Sequence, residues 1–292
     1  MPTRRPLEFG LSVVPTADDL DRTRALVRTA DRSGLEFLGI QDHPYQRRFL
    51  ETWMLMATLL AETERIRVFP DVANLPLRLP AMIAKAAASL DRLSAGRFEL
   101  GLGAGAFWQG IAAMGGPERG AGEALKALEE AIEIIRLAWS EERGVRYDGE
   151  HYALAGYQPG PPPAHRIEIW LGVTRPRGQR LTGRLADGWI PSLSYVPPEQ
   201  LAESQKRIDA AAEEAGRDPA EIRRLYNVSG TITDGSRGEL LEGPPEHWVE
   251  TLAGWADRLH VDTFVFWPKE ATPEQVERFA AEVVPAVRAS TG

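Results

Sequence analysis

Apolar and polar residues alternate over eight short stretches of the chain, and each is followed by a longer stretch with helical spacing. Alternation at every second residue is typical of a β-strand, whereas apolar residues three and four positions apart indicate an amphipathic helix. The strands predicted in this way are residues 7–13, 36–41, 66–74, 98–102, 167–171, 188–191, 223–231 and 261–267. The helices predicted after them are residues 19–33, 52–63, 80–93, 121–139, 176–186, 198–214, 245–258 and 273–289.

Strict alternation of strands and helices indicates a parallel sheet covered by helices. Eight strand-helix pairs are the number that closes a ring, so we expect an α/β chain with the (β/α)8 TIM-barrel architecture. An open, doubly wound sheet is the alternative. Because barrels of this kind typically span about 250 residues or more, we expect residues 1–292 to form a single domain.

Residues 141–166 interrupt this rhythm, because glycine and proline are frequent there. Within them, residues 145–154 predict a β-hairpin that turns at Asp148 and Gly149. The segment follows the fourth strand-helix unit. We interpret it as an insertion that lies over the functional site and not as a domain boundary.

The composition narrows the class of protein. Lys and Arg number 34 against 42 Asp and Glu, a net charge of −8, which argues against binding to nucleic acid or to anionic membranes. The absence of cysteine excludes disulfides, thiolate metal sites and a cysteine nucleophile, and the sequence offers no clustered set of metal ligands. No apolar run of signal-peptide type or of membrane-spanning length occurs. We therefore expect a cytoplasmic protein without metal or membrane segment.

In a (β/α)8 barrel the functional site lies where the strands end. Here most strand ends carry small or polar residues, which suits a broad, flat ligand held by the main chain and by short side chains. Gly101, Gly103 and Gly105 leave the end of the fourth strand without side chains, so that a flat or anionic group can approach the backbone. We interpret this glycine tip as the place of a flavin-like cofactor.

His43 is the main candidate for chemistry, because a histidine at a strand end can donate to a cofactor or shuttle a proton. It could equally pack beside Pro44 without a chemical role. Arg177, Arg180 and Arg184 share one face of the helix after the fifth strand. Together with the helix N-terminus they could hold a phosphate, or they could form a solvated basic face.

Asp42 and Asp71 follow neighbouring strands. Two carboxylates could act as an acid pair, although aspartates in such positions more often fix loops through hydrogen bonds to the main chain. Trp108 and Trp267 could flank a ring or lie in the core. The glycine tip matches neither the dinucleotide-binding motif nor the P-loop.

Six stretches, in a characteristic order along most of the chain, carry a resemblance to a known family. The block at residues 89–105 is the specific one, and the others, each weak alone, are residues 42–43, 78–85, 169–172, 185–189 and 215–219. With them the chain resembles the luciferase-like monooxygenase superfamily, especially its deazaflavin-dependent branch.

The resemblance implies a barrel oxidoreductase that binds coenzyme F420, or FMN, at the strand ends and transfers a hydride between that cofactor and a small organic substrate. It places His43 near the ring as the catalytic residue, and it implies a cis peptide bond at Asp71–Val72. The cofactor-binding residues that it implies are Asp42, Asp71, Val72, Asn74, Gly103, Ala104, Gly105, Gly172, Val173, Thr174, Arg177 and Ser192.

Two alternatives stay open beside hydride transfer with coenzyme F420. One is an FMN-dependent monooxygenase supplied by a separate reductase, and the other is a non-catalytic member that binds a flavin without turnover. The resemblance also suggests a homodimer paired through helices. In one respect the chain departs from the branch. Its sugar-phosphate dehydrogenases carry a glutamate shortly after the glycine tip, whereas residues 106–110 contain no acid. This difference argues for a flatter or more apolar substrate.

Overall fold

The computed structural model describes residues 5–140 and 142–291. Its strands, in chain order, are β1 Glu8–Val13, β2 Phe37–Ile40, β3 Arg67–Pro70, β4 Ala73–Asn74, β5 Leu100–Gly103, β6 Val145–Asp148, β7 Ala153–Tyr157, β8 Ile169–Leu171, β9 Gly188–Trp189, β10 Arg223–Ile232, β11 Glu242–Gly243 and β12 Thr263–Pro268. The short β11, which the sequence pattern does not predict, pairs with the end of β10.

The strands form a closed parallel barrel. Neighbours follow the order β3-β2-β1-β12-β10-β9-β8-β5-β4, and all of these pairs are parallel. The ring closes because the main chain of Val68 in β3 bonds to Arg97 and Glu99, just before β5. Since β4 continues β3 after two residues, the part of the chain that the structure describes has eight strand positions. The predicted barrel is confirmed.

Ten helices in the described residues surround the ring or join its strands. They are α1 Leu20–Arg32, α2 Thr52–Ala61, α3 Pro80–Leu93, α4 Trp108–Ala113, α5 Ala121–Trp139, α6 Pro176–Leu185, α7 Pro198–Glu214, α8 Pro245–Leu259, α9 Pro273–Arg278 and α10 Val284–Ser290. Two short 3-10 turns occupy Leu75–Leu77 and Pro219–Glu221. No described helix is both long enough and apolar enough to cross a bilayer.

Two helices differ from the predicted pattern. The six-residue α4 lies in a loop where no helix is predicted. The last predicted helix is present, but a π-helical turn at Phe279–Val283 divides it into α9 and α10. Pro285 has no N–H to bond to the carbonyl of residue 281, and one wider turn accommodates that missing bond. Accordingly, the N–H of Val284 reaches the carbonyl of Phe279, five residues back.

The inside of the barrel is filled by six buried apolar side chains: Phe37, Phe69, Trp170, Ile190, Leu225 and Val265. Their rings meet edge to face, with the centroid of Trp170 5.2 Å from that of Phe37 and 5.0 Å from that of Phe69. Val72 packs on this cluster from the carboxyl ends of the strands. The barrel is therefore a packed core, and ligands must bind above it.

Charged side chains close the barrel at the amino ends of its strands. Arg223 forms ion pairs with Glu8 and with Glu168, the latter at 3.0 Å, and Glu8 also pairs with Arg67. Burial alone would lower the pKa of Arg223, but Glu168 and Glu8 raise it above its ordinary value. The amino ends of the strands are therefore covered by a layer of paired charges.

The predicted hairpin is present as β6 and β7, but its position corrects the prediction. Its turn extends from Gly149 to Tyr152, beyond the two-residue turn expected from the sequence. Glu130, in the middle of α5, accepts hydrogen bonds from the main-chain N–H groups of Glu150, His151 and Tyr152. The hairpin is therefore held against the outer helix layer and not over the strand ends. A carboxylate on a distant helix makes this anchor, which a local pattern cannot predict.

Candidate active site at the carboxyl ends of the strands

The barrel brings the predicted strand-end residues to one rim. His43 follows β2, Val72 lies between β3 and β4, and Ala104 follows β5. Asn74 is paired in register with Gly103, and Ser192 is bridged to Asn227 in the middle of β10. Because parallel strands all end on the same side of a barrel, these residues share one face.

Val72 sits between two glycines at the centre of this rim. A Cβ atom added at Gly103 would lie 2.7 Å from Val72 Cγ2, and one at Gly172 would lie 2.8 Å from the same atom. Side chains at either position would therefore displace Val72. The peptide bond between Asp71 and Val72 is cis, as the resemblance implies. Together these residues, which we call the glycine cradle, present a shallow surface made of main chain and one valine.

The remaining residues of the glycine tip shape the adjoining turn. Gly105 has a φ of +95°, and a Cβ there would lie 2.6 Å from Pro76 and 3.0 Å from Trp108. A glycine is required at this position by both its backbone conformation and its contacts. Ala104 stays partly exposed beside the cradle.

Asp71 lies within a line of polar side chains on the inside of the rim. Its Oδ1 accepts a hydrogen bond from Asn227 Nδ2 at 3.1 Å, and the same Nδ2 lies 3.2 Å from Ser192 Oγ. Burial raises the pKa of Asp71 to about 6, although the hydrogen bond from Asn227 and the nearby Ser12 act in the opposite direction. The carboxyl can thus exchange a proton near neutral pH.

Four buried polar atoms at this rim find no hydrogen-bond partner of standard geometry among the described residues: Asp71 Oδ2, Ser12 Oγ, Asn74 Oδ1 and Asn227 Oδ1. Buried polar groups are nearly always paired, so such a concentration indicates a place where a ligand or water completes the hydrogen bonds. Ser12, Asp71 and Asn74 lie at or beside strand ends, and Asn227 lies in the middle of β10.

Asp42 lies behind the rim and does not open onto it. Its side chain is fully buried, and its Oδ2 accepts hydrogen bonds from the Asn74 N–H at 2.9 Å and from Arg78 at 2.6 Å. Burial raises the pKa of Asp42, and Arg78 opposes that rise. Asp42 thus fixes the backbone that presents Asn74, and it has partners different from those of Asp71. Among the described contacts, the two carboxylates form no acid pair.

His43 stands at the edge of the cradle in an aromatic group. Its Nδ1 lies 2.7 Å from the hydroxyl of Tyr45, and the Tyr45 ring meets the half-exposed ring of Phe107 at 5.2 Å. Burial lowers the pKa of His43, whereas the charge of Asp42 raises it. The imidazole is therefore neutral at pH 7 and can accept a proton or a hydrogen bond.

The loop after β8 carries the other predicted binding residues. The carbonyl of Val173 accepts a hydrogen bond from Trp189 Nε1 at 2.8 Å, and that of Thr174 accepts one from Gln179 at 3.1 Å. Helix α6 then begins at Pro176 without a side-chain cap, and Gln179 is the first residue whose N–H bonds within the helix, to the carbonyl of Arg175. The N–H groups of Arg177 and Gly178 are therefore available to a ligand. Arg177 is exposed there. Arg184 forms an ion pair with Glu129 and is therefore not available to bind a phosphate.

A cavity of about 390 Å³ adjoins the rim where β1 and β12 end. Ser12, Phe49 and Trp267 contribute to its wall. In the order of strands around the ring, the β1–β12 seam lies opposite the seam between β5 and β8. The rest of the cavity wall comes mainly from the first turns of α1 and from the loops after β1 and β12, so the cavity extends from Ser12 towards α1.

The sequence analysis missed four residues that build this site: Ser12, Tyr45, Arg78 and Asn227. Two of them leave a signal in the strand pattern. Ser12, near the end of β1, and Asn227, in the middle of β10, occupy barrel-facing positions where the alternation otherwise predicts apolar residues. A polar residue at such a position is unexpected for a core and indicates a site. Arg78 and Tyr45 lie in loops, and nothing local marks their partners.

The sequence is similar to those of known families and proteins. A family model described as luciferase-like monooxygenase matches residues 6–282. The 5,10-methylenetetrahydromethanopterin reductase of Archaeoglobus fulgidus is 30% identical over 224 residues, which are 72% of this chain and 60% of that protein. The F420-dependent hydroxymycolic acid dehydrogenase of Mycobacterium tuberculosis is 30% identical over 244 residues, 80% of this chain and 66% of that protein. The chain thus spans less than two thirds of the length of either protein.

Among solved structures, an F420-dependent secondary alcohol dehydrogenase in complex with an F420-acetone adduct superimposes with a TM-score of 0.82. The alignment covers 97% of this chain and 99% of that structure, at 16% sequence identity. At this identity the likeness concerns the fold alone, and it agrees with the barrel described above.

Proposed function

Because the chain belongs to the luciferase-like monooxygenase family, we propose that it is an oxidoreductase that binds coenzyme F420 across the barrel rim. It transfers a hydride between that cofactor and a small organic substrate. The observation that carries the proposal is the glycine cradle. Val72 lies between Gly103 and Gly172, and both would displace it if they carried a Cβ atom. A flat ring fits such a surface.

The donors and acceptors around the cradle fit the same group. The ring of a deazaflavin carries carbonyl and N–H groups at its edge, and the unpaired Asn74 Oδ1 and Asn227 Oδ1 are available to that edge. Beyond the ring, the side chain of the cofactor would pass Gly172, Val173 and Thr174. Its phosphate would then lie at the N-terminus of α6, near Arg177. Ser192 and Ala104 would flank the ring on either side. Asp42 contributes indirectly, because it holds Asn74 in place.

Coenzyme F420 is favoured over FMN by the two curated relatives: one is named F420-dependent, and the other is a methylenetetrahydromethanopterin reductase. The alternative is an FMN-dependent monooxygenase with a separate reductase as partner. The cofactor supplies the reactivity, while the protein supplies orientation and electrostatics. The substrate would occupy the cavity at the β1–β12 seam, whose wall is partly aromatic through Phe49 and Trp267.

Titration of the purified protein with each cofactor tests the proposal. We expect coenzyme F420 to bind with a Kd below about 0.1 mM, which corresponds to roughly −5.5 kcal/mol, and FMN to bind more weakly. Gly172→Val should weaken binding at least tenfold, because its side chain displaces Val72. Gly235→Ala is the matched control, since a Cβ there would have no neighbour closer than 3.9 Å. Failure of both cofactors to bind would reject the proposed function, and tighter binding of FMN would select the alternative.

We further propose that His43 is the catalytic residue, acting on the ring or on the substrate above it. His43→Ala should lower the rate of hydride transfer by a factor of about 10²–10⁴, the usual contribution of a positioned acid or base. Cofactor affinity should change less than threefold, because the cradle stays intact. Stopped-flow measurement of cofactor oxidation, with Kd measured in parallel, separates the two effects. An unchanged rate would assign His43 to packing, and a complete absence of turnover in the wild type would favour the non-catalytic alternative.

A homodimer is also proposed, through the beginnings of α2 and α3. The ion pair between Arg78 and Glu51 holds these two helix starts together. Next to it Met54, Leu79 and Met82 are each more than 60% exposed, which is unusual for such side chains in one place. A second copy of the chain would cover this patch by two-fold symmetry.

Light scattering with size-exclusion chromatography tests the dimer. We expect twice the mass of 32.2 kDa for the wild type and a shift to monomer for Met82→Glu. Leu240→Glu is the control, because Leu240 is an exposed apolar residue far along the chain in the loop before β11. A monomeric wild-type protein at micromolar concentration would contradict the proposal.

A further inference from the structure

Asp71 differs from every other buried acid in the described part of the chain. Asp42 and Glu168 face arginines, and Glu130 and Asp31 each take three main-chain N–H groups. The Oδ2 of Asp71 is the one buried carboxylate oxygen among the described residues for which no hydrogen-bond partner of standard geometry exists. Asp71 also takes part in no described ion pair. Its carboxylate is therefore buried without a compensating cation, and this arrangement costs stability. A group that costs stability is usually kept because it serves another purpose.

The surroundings of Asp71 leave a route for a proton. Gly39 gives its carboxyl room, since a Cβ there would lie 3.1 Å from Oδ2. Ser12 faces the same carboxyl, and its own Oγ has no hydrogen-bond partner of standard geometry. Ser12 also belongs to the wall of the cavity at the β1–β12 seam. A hydroxyl that both donates and accepts can pass a proton between the carboxyl and a molecule in that cavity.

We propose that Asp71 is a second acid–base residue of this site beside His43, that Ser12 relays its proton, and that the substrate in the β1–β12 cavity is a carbonyl compound or the corresponding alcohol. This inference rests on the proposed function. It also assigns the role of proton donor to Asp71 in a chain whose residues 106–110, just after the glycine tip, contain no acid.

The proposed step balances as follows. In the direction of reduction, the bound reduced deazaflavin would supply a hydride to the carbonyl carbon, and the C=O π bond would open to leave negative charge on oxygen. The hydroxyl of Ser12 protonates that oxygen while the O–H bond of Asp71 breaks and its proton passes to Ser12. The carbonyl is reduced by two electrons to an alcohol, the deazaflavin is oxidised by two, and Asp71 remains as a carboxylate. The second proton of the reduced cofactor would pass to solvent, and a proton from solvent would restore the neutral carboxyl of Asp71.

The protonation of Asp71 suits this role. Burial raises its pKa to about 6, so both forms are populated near the pH at which a general acid works best. A ring bound over Val72 excludes water from the neighbouring Asp71, which favours the neutral carboxyl further. Binding of the cofactor should therefore draw a proton onto the protein.

Proton uptake on cofactor binding is the first test, and it needs no turnover. Coenzyme F420 is added to the protein in a weakly buffered solution at pH 6.5 with a pH indicator. We expect between about 0.3 and 0.8 proton to be taken up per cofactor bound by the wild type, and none by Asp71→Asn. Asp262→Asn is the matched control: this acid is also buried, with its pKa raised by burial, but it lies at the amino ends of the strands. Equal uptake by wild type and Asp71→Asn would overturn the proposal.

Single turnover with simple ketones is the second test. Reduced coenzyme F420 on the protein is mixed with acetone or cyclohexanone, and its oxidation is followed at pH 6. We expect Asp71→Asn to slow this step at least 100-fold and Ser12→Ala at least 10-fold, with cofactor Kd within threefold of the wild type. Oxidation at wild-type rate in Asp71→Asn, or no oxidation by either ketone in the wild type, would overturn the assignment. Absence of cofactor binding would instead reject the proposed function itself.

Discussion

Asp71→Asn is expected to stabilise the protein by as much as about 3 kcal/mol at pH 7. The pKa of Asp71 rises from 3.8 to about 6 on folding, and each pKa unit corresponds to about 1.4 kcal/mol. The folded state holds the proton of Asp71 more tightly than the unfolded state does. The contribution of this proton to the free energy of unfolding is therefore fully present below about pH 4, where Asp71 is neutral in both states. It declines as the pH rises to 6 and stays low above that. Asparagine cannot ionise, so the variant escapes this loss, and its Oδ1 still accepts the hydrogen bond from Asn227.

Urea denaturation of both proteins between pH 4 and pH 8 measures this difference. The curves should converge near pH 4 and separate up to pH 6, with no further divergence above. Glu168→Gln is the matched control with the opposite sign. Burial would raise the pKa of Glu168, but Arg223, Trp170 and Arg5 reverse the effect and lower it, so its loss should destabilise the protein at pH 7. A destabilised Asp71→Asn at pH 7 would contradict the argument.

A stability gain on removing a charged group indicates that the native residue is kept for another reason. Active sites commonly hold groups that weaken the fold, and mutations that relieve them stabilise the protein while lowering activity. In this chain the unpaired carboxylate lies in the rim that also holds the glycine cradle and the unpaired amide oxygens of Asn74 and Asn227. The three features concern different residues, yet each implies a missing partner at the same place.

The strand pattern predicted the barrel because alternation depends only on neighbouring residues. It also predicted the rim, since parallel strands must end together, and His43, Val72 and Ala104 lie on that rim. What it could not predict are contacts between distant segments. Asp42 is buried because Arg78, 36 residues away, pairs with it, and the hairpin lies outside because Glu130 holds its turn. The resemblance supplied the cofactor and the cis peptide bond at Asp71–Val72, which alternation cannot predict.

The opposite end of the barrel should respond to mutation very differently. Arg223→Met is expected to destabilise the protein by about 3–5 kcal/mol at pH 7, the usual consequence of removing one partner from a buried ion-pair network. Arg223 pairs with Glu8 and Glu168, and its guanidinium also lies 5.4 Å from the ring centroid of Phe37. Methionine keeps the length and much of the packing of arginine, so most of the loss should be electrostatic.

The electrostatic origin can be separated from packing by pH and by a second arginine. Arg223 lowers the pKa of Glu168, so Glu168 takes up a proton more readily in the variant, and the difference between wild type and Arg223→Met in urea should shrink on acidification. Arg166→Met is the matched control, because Arg166 also pairs with an acid, Asp187, but is 76% exposed; its loss should cost less than about 1 kcal/mol. A loss of similar size in both variants, or one that does not change with pH, would mean that packing dominates.

If the expected contrast is found, the two ends of one barrel use buried charge in opposite ways. At the amino ends Glu8 and Glu168 pair with arginines that hold the strands together, whereas at the carboxyl ends Asp71 takes part in no ion pair among the described residues and can bind a proton.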